Sequence, residues 1–150
     1  MPQKTGIIDI GGGMRGIYAQ GVFDRCIDEG ITFDLAIGIS AGSGNVASFV
    51  AGQRARNIQF YTEYALRAEY MSAQNMIQKG YYVDMEYAYG VLSNEDGENP
   101  FDFDAFMASP TEVLVQACNA NTGEPAYFDK SSFERNSYTP MMASSAIPFV

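Results

Sequence analysis

Ser40 stands at the centre of Gly38-Ile39-Ser40-Ala41-Gly42, directly after the apolar run Leu35-Ala36-Ile37. A serine on a sharp strand-to-helix turn presents its hydroxyl above the sheet edge. The flanking glycines let the chain turn without striking the neighbouring strand. The chemistry this suits is nucleophilic attack on an acyl carbonyl. The helix that follows would add the positive end of its dipole, which favours an alkoxide or oxyanion nearby. A second reading is equally open at this point: the Ser40 hydroxyl caps that helix and does no chemistry. A serine nucleophile ordinarily hands its proton to an imidazole, yet the chain has no histidine.

A glycine cluster upstream decides between the two. Gly11-Gly12-Gly13-Met14-Arg15-Gly16 follows the apolar run Gly6-Ile7-Ile8-Asp9-Ile10. A nucleophile needs donors aimed at the oxygen where charge develops. Backbone amides of Gly12, Gly13 and their neighbours, at the mouth of a parallel sheet, suit that task, and no side chain obstructs approach. Gly11, Gly13 and Gly16 also match the dinucleotide fingerprint, glycine turn before helix. That mode requires an acid at the end of the second strand. Asp34 instead stands before that strand, and Ser40 occupies the turn after it. An anion- or lipid-binding loop without catalysis is a further alternative. Two carboxylates compete for the role of base. Asp96-Gly97 lies in the polar stretch Ser93 to Pro100 and reads as a surface turn. Asp9 is expected to precede the glycine loop structurally, without taking a proton.

These residues need elements to hold them. The first apolar run reads as a buried strand, and three successive glycines as a turn with access to positive φ. Ile17, Val22, Cys26 and Ile27 recur at helical spacing, so a helix is expected to about Asp28, stopped by Gly30. Phe33 to Ile39 is a second strand, and Ala41 to Gly52 a second helix. Strand, glycine loop, helix, strand, turn and helix open a parallel α/β sheet, with both turns at its carboxyl edge. Further along, helices are expected over Asn57 to Met71, over Asp84 to Leu92 and after Pro100. Glu112 to Ala120 reads as a strand, with Gly123 to Asp129 as its hairpin partner. A last helix begins near Ser137 and breaks at Pro148. The tyrosines and phenylalanines concentrate between Phe60 and Phe106. They could line an acyl channel, although ordinary packing accounts for most of them.

The 47% hydrophobic and 18% charged content over 150 residues fits one globular domain rather than a disordered chain. The net charge of −9 argues against nucleic acid, or an anionic membrane held by bulk charge, as a partner. It leaves a local, transient apolar contact with a membrane open. Cys26 and Cys118 are expected to be two buried thiols in a reducing, cytoplasmic setting. Without histidine or a Cys-x-x-Cys pair no metal site is expected, and no cofactor is called for. The N-terminus lacks the apolar stretch of a signal peptide, and no window reaches the length of a membrane span. The apolar end Ile147-Pro148-Phe149-Val150 reads as a truncation inside a larger core. Oligomeric state, acyl chain and headgroup stay open.

"GGGMRGIYAQGVFD" followed by "FDLAIGISAGSGN" resembles the patatin-like phospholipases, in particular their bacterial members. "GQRARN", "NPFDFDAFMASPTE", "NTGEPAYFDK" and "ASSAIPF" resemble that group in the same order, so the likeness covers nearly the whole chain. The resemblance implies a three-layer α/β/α fold with a mainly parallel sheet. It also implies a lipid acyl hydrolase that uses a serine–aspartate dyad, which would explain the missing histidine. Ser40 matches the nucleophile, and Gly38 and Gly42 flank it in the elbow. Gly11, Gly12, Gly13, Arg15 and Gly16 match the oxyanion-hole loop. Arg15 would shape that loop by this likeness; by itself it reads as a solvated charge in a helix's first turn. The family's catalytic aspartate sits in an Asp-Gly-Gly or Asp-Gly-Ala motif downstream of the segment resembling "ASSAIPF". This chain has none there, so its single domain is expected to be truncated before that motif.

Overall fold

The computed structural model describes residues 4–147. Strand β1 (Gly6–Asp9) leads through the glycine turn into helix α1 (Gly16–Asp28), and β2 (Leu35–Ile39) leads through the elbow into α2 (Ala41–Val50). Helices α3 (Arg56–Thr62) and α4 (Ala73–Lys79), a π-helical turn (Tyr87–Val91) and α5 (Phe103–Ala108) follow. The chain then returns to the sheet as β3 (Glu112–Cys118) and β4 (Pro125–Phe128) and finishes in α6 (Thr139–Ser145). The sheet order is β1-β2-β3-β4. The first three strands run parallel and β4 is antiparallel to β3. The fold is α/β with a mainly parallel sheet, as expected.

The register places the site. Asp9 pairs with Gly38, and Ile39 with Gln116, so the turns after β1 and β2 leave the sheet side by side. Helix α2 is the centrepiece. Nine of its residues, Gly42 to Val50, are buried, so it has no solvent face. It packs on β2 through Ala36 (0% exposed) and meets Phe23 of α1 through Phe49, ring centroids 4.9 Å apart. Val113, Val115, Phe101, Phe106, Phe133, Tyr138 and Met141 complete the same core.

The inner face of α1 departs from the apolar spacing. Cys26 is buried, but Ile17 and Val22 are exposed, while Gln20 and Asp24 turn inward with Phe23. The polar pair is tolerated because it is satisfied: Gln20 Nε2 donates to Asp24 Oδ1, which also accepts from the Ala55 amide. The long helix expected from Asn57 to Met71 is cut short. Glu63 leaves helical angles (φ −125°, ψ −65°), and a single 3₁₀ turn over Tyr64–Leu66 follows. Helix α4 was not expected. Its Ser72 cap, accepting from the Asn75 amide, and its left-handed Gly80 stop are ordinary end signals. The helix over Asp84 to Leu92 forms only in part, as the π-helical turn. The strand pair after Glu112 forms as expected, Cys118 opposite Pro125. Cys118 is nevertheless exposed, contrary to expectation. It ends β3 on the outward side of the alternation, whereas Cys26 is buried, and both thiols are free. The break expected at Pro148 lies outside the described residues.

Candidate active site

Ser40 has φ 56° and ψ −133°, a conformation that costs a non-glycine residue about 1–3 kcal/mol. Its side chain makes no capping bond to α2, so the capping alternative does not describe this serine. Its amide is tied down instead. Ser144 Oγ in α6 accepts from the Ser40 N–H at 2.7 Å and donates its own proton to the Gln116 carbonyl of β3. Ser43 Oγ donates to the Ser40 carbonyl at 2.7 Å. The strained residue is therefore held at both backbone ends.

The elbow glycines have no room for a side chain. A methyl group on Gly38 would lie 2.5 Å from the Ser43 Cα, and one on Gly42 would lie 2.8 Å from the Asp9 carbonyl carbon. The glycine loop meets the elbow from the other side. Gly11, Gly12 and Gly13 have φ of 72°, 120° and 60°, angles open to glycine and strained for other residues. A Cβ on Gly11 would run into the Ile39 carbonyl and approach the amides of Ala41 and Gly42 to 3.0 Å. The two turns are thus packed backbone against backbone.

The loop amides are not equivalent. The Gly11 N–H donates to Asp9 Oδ1 at 2.9 Å, and the Gly16 N–H to the carbonyls of Gly13 and Met14. Arg15 is exposed and folds over the loop, its Nε donating to the Gly12 carbonyl at 3.3 Å. Gly16 lies where a Cβ would strike the Tyr61 hydroxyl. Gly13 and Ser40 line a common cavity of about 890 Å³, its open mouth included.

The cavity walls come mostly from the segment between α2 and α5. Phe60, Tyr61, Tyr70 and Tyr89 stand with Met71, Val83, Met85 and Ala88, so four of the clustered aromatics do face it. Tyr64, Phe101 and Phe106 belong to the interior instead. Burial pushes the phenols of Tyr61, Tyr70 and Tyr89 up, so they remain protonated and neutral. Arg56 is the one cation on the wall among the described residues. Its guanidinium donates to Ser48, Asn57 and Ser93 and to the carbonyls of Asn99 and Pro100, over the Phe101 ring at 5.5 Å. Burial pushes it down to about 10, which still leaves it charged at neutral pH. Asn45, Asn57, Ser93, Asn99 and Ser145 add further polar groups to the lining. No aspartate or glutamate among the described residues lines this cavity.

The other candidates from the sequence fall elsewhere. Asp96 is exposed in a turn closed by the Gly97 amide on the Asn94 carbonyl. Asp34 accepts from the Thr5 amide at 2.7 Å, which holds its carboxyl below the usual range. It lies at the amino end of β2, about 16 Å of strand away from the glycine loop. No ribose held at that loop could reach it, which removes the support for the dinucleotide alternative. Among the described residues no group of three metal-ligating side chains occurs, and no helix is long and apolar enough to cross a membrane. The sequence reading did not single out Asn45, Arg56, Asn57, Tyr89 or Ser144 at this candidate site. Arg56 and Asn57 lie in "GQRARN", Ser144 in "ASSAIPF" and Asn45 at the end of the elbow segment, whereas Tyr89 had no such signal.

A family model described as patatin-like phospholipase matches residues 11–150. The uncharacterized protein YjjU of Escherichia coli (strain K12) is 26% identical over 151 residues, an alignment that takes in 98% of this chain and 41% of that protein. The chain therefore spans well under half the length of this curated relative.

Proposed function

The chain belongs to the patatin-like phospholipase family, and on that premise we propose that it carries the nucleophile and oxyanion half of a serine acyl hydrolase for lipid or small esters. The observation that carries the reading is the packing of two glycine turns against each other, with Ser40 and Gly13 on the wall of one apolar cavity. Ser40 Oγ attacks the ester carbonyl. The amides of Gly12 and Gly13 receive the oxyanion, because those of Gly11 and Gly16 already have partners. Gly11, Arg15 and Gly16 shape the loop, and Gly38 and Gly42 allow the elbow. The tetrahedral intermediate collapses to an acyl-serine and expels the alcohol. Water then attacks the acyl-serine and releases the acid.

The base is an aspartate contributed from beyond Val150, in an Asp-Gly-Gly or Asp-Gly-Ala segment. The absence of any carboxylate from the lining among the described residues supports this assignment, as does the prior commitment of Asp9. The apolar walls suit a fatty acyl chain, and exposed Met14 and Ile147 at the cavity suit a transient contact with a lipid surface. A cytoplasmic setting, where both thiols stay reduced, fits the same reading.

The test is turnover of an aryl ester of a medium-chain fatty acid by the full-length polypeptide. The expected result is hydrolysis that falls about 10²- to 10⁴-fold when the downstream aspartate is replaced by asparagine. Undiminished hydrolysis in that variant would remove the dyad.

A further inference from the structure

Asp9 is 7% exposed, and none of the ion pairs among the described residues involves it. A carboxylate placed there without a cation costs free energy that an apolar residue would avoid. Its hydrogen bonds show what it holds. Oδ1 accepts from the Gly11 amide at 2.9 Å, closing a turn two residues on. Oδ2 accepts from Asn45 Nδ2 at 2.9 Å. The second N–H of the same Asn45 amide goes to the Gly16 carbonyl, also at 2.9 Å. The loop from Gly11 to Gly16 is therefore pinned at both ends by one buried pair, one member ending β1 and the other inside α2.

The pair cannot turn. Asn45 is 0% exposed, and its Oδ1 accepts from Asn57 Nδ2 at 3.1 Å and from the Tyr61 hydroxyl at 3.2 Å. Rotating the amide would set donors against donors and acceptors against acceptors on both sides. Asn57 Nδ2 also donates to Gln20 Oε1, which continues the bracing into α1. The first turn of α2 rests on Asp9 as well, since a Cβ on Gly42 would come within 2.8 Å of the Asp9 Cγ. A negative charge beside the loop would oppose an oxyanion, so its contribution to the reaction is geometric.

We infer that Asp9 is a positioning residue: with Asn45 it fixes the glycine loop against the elbow and so sets the rate of attack by Ser40, without touching substrate or taking its proton. This rests on the hydrolase reading. In Asp9→Asn the remaining Oδ1 still accepts from Gly11, but the new NH₂ faces Asn45 Nδ2, donor against donor. The loop shifts while the volume is unchanged.

The experiment measures kcat, KM and the pH profile of the full-length polypeptide on a medium-chain aryl ester, with fluorophosphonate labelling alongside. The expected result for Asp9→Asn is kcat lower by about 10²-fold and KM within about twofold. Labelling should slow in step, and the acidic limb of the profile should stay where it is. Unchanged kcat in folded Asp9→Asn overturns the inference, and so does loss of the acidic limb, which would make Asp9 the base. Should Asp9→Asn fail to fold, Tyr61→Phe removes only the hydroxyl that braces Asn45. A several-fold fall in kcat then supports the inference, and equal kcat sinks it. Wild-type protein that neither turns over nor labels refutes the hydrolase reading itself, and the inference with it. A labelled wild type with an equally fast Asp9→Asn refutes the inference alone.

Discussion

Replacing Ser40 by alanine in the full-length polypeptide is expected to lower ester hydrolysis by at least about 10⁴-fold, to the level that oriented binding and the glycine loop supply unaided. The fold should survive, because the hydroxyl makes no capping bond that alanine would remove. Ser40→Gly separates function from stability further. Glycine tolerates φ 56° without strain, so this variant should be equally inactive yet more stable than wild type, by about 1 kcal/mol. Parallel thermal melts and initial rates on the three proteins check both statements. A melting temperature lower in Ser40→Gly than in Ser40→Ala would mean that the elbow angle is not strained.

The second large effect belongs to Gly42, far smaller in chemistry than Ser40 but equally intolerant. A methyl group there would push on the carbonyl carbon and the carboxyl carbon of Asp9, so the end of β1 and the first turn of α2 must part. Neither is the far end of a flexible side chain that could swing away. Overpacking of this kind costs about 3 kcal/mol, which for a chain of this size is a drop of about 10 °C in Tm. The same displacement separates the loop amides from the Ser40 hydroxyl, so residual activity should fall by about 10²-fold or more at temperatures where the variant is folded. Gly44→Ala is the control within the same helix. Its Cβ would meet the Tyr89 side chain, nearest at the hydroxyl, 3.2 Å away, so the cost should be far smaller. Equal losses at Gly42 and Gly44 would contradict the close packing of the two turns.

The parts of the fold that could be read from sequence are those that obey local rules. Positive φ favours glycine, so the loop at Gly11 to Gly13 and the stops at Gly30 and Gly52 were visible. Alternation over Glu112 to Cys118 and a turn before Gly123 made the hairpin visible. What stayed hidden depends on distant partners. Gln20, Asn45 and Asn57 look like surface residues until the chain brings them together across 12 to 37 positions. Counting apolar residues then assigns α1 the wrong inner face. The π-helical turn that carries Tyr89 has no local signature, and α4 is marked only at its ends, by Ser72 and Gly80. For the candidate site, the elbow at Ser40 and the glycine loop were legible because backbone geometry restricts which residues can stand there. The walls and the braces were not, since any apolar residue can line a cavity and any amide can bridge two acceptors.

The most direct measurement is the mass of the Ser40-containing peptide after the full-length polypeptide reacts with an alkyl fluorophosphonate. One phosphonyl group on Ser40, at a rate that falls when the loop is displaced by Gly42→Ala, is the predicted result. A protein that stays unmodified, or one that carries the group on a different side chain, would contradict the assignment of Ser40 and the glycine loop to a single acyl-transfer site.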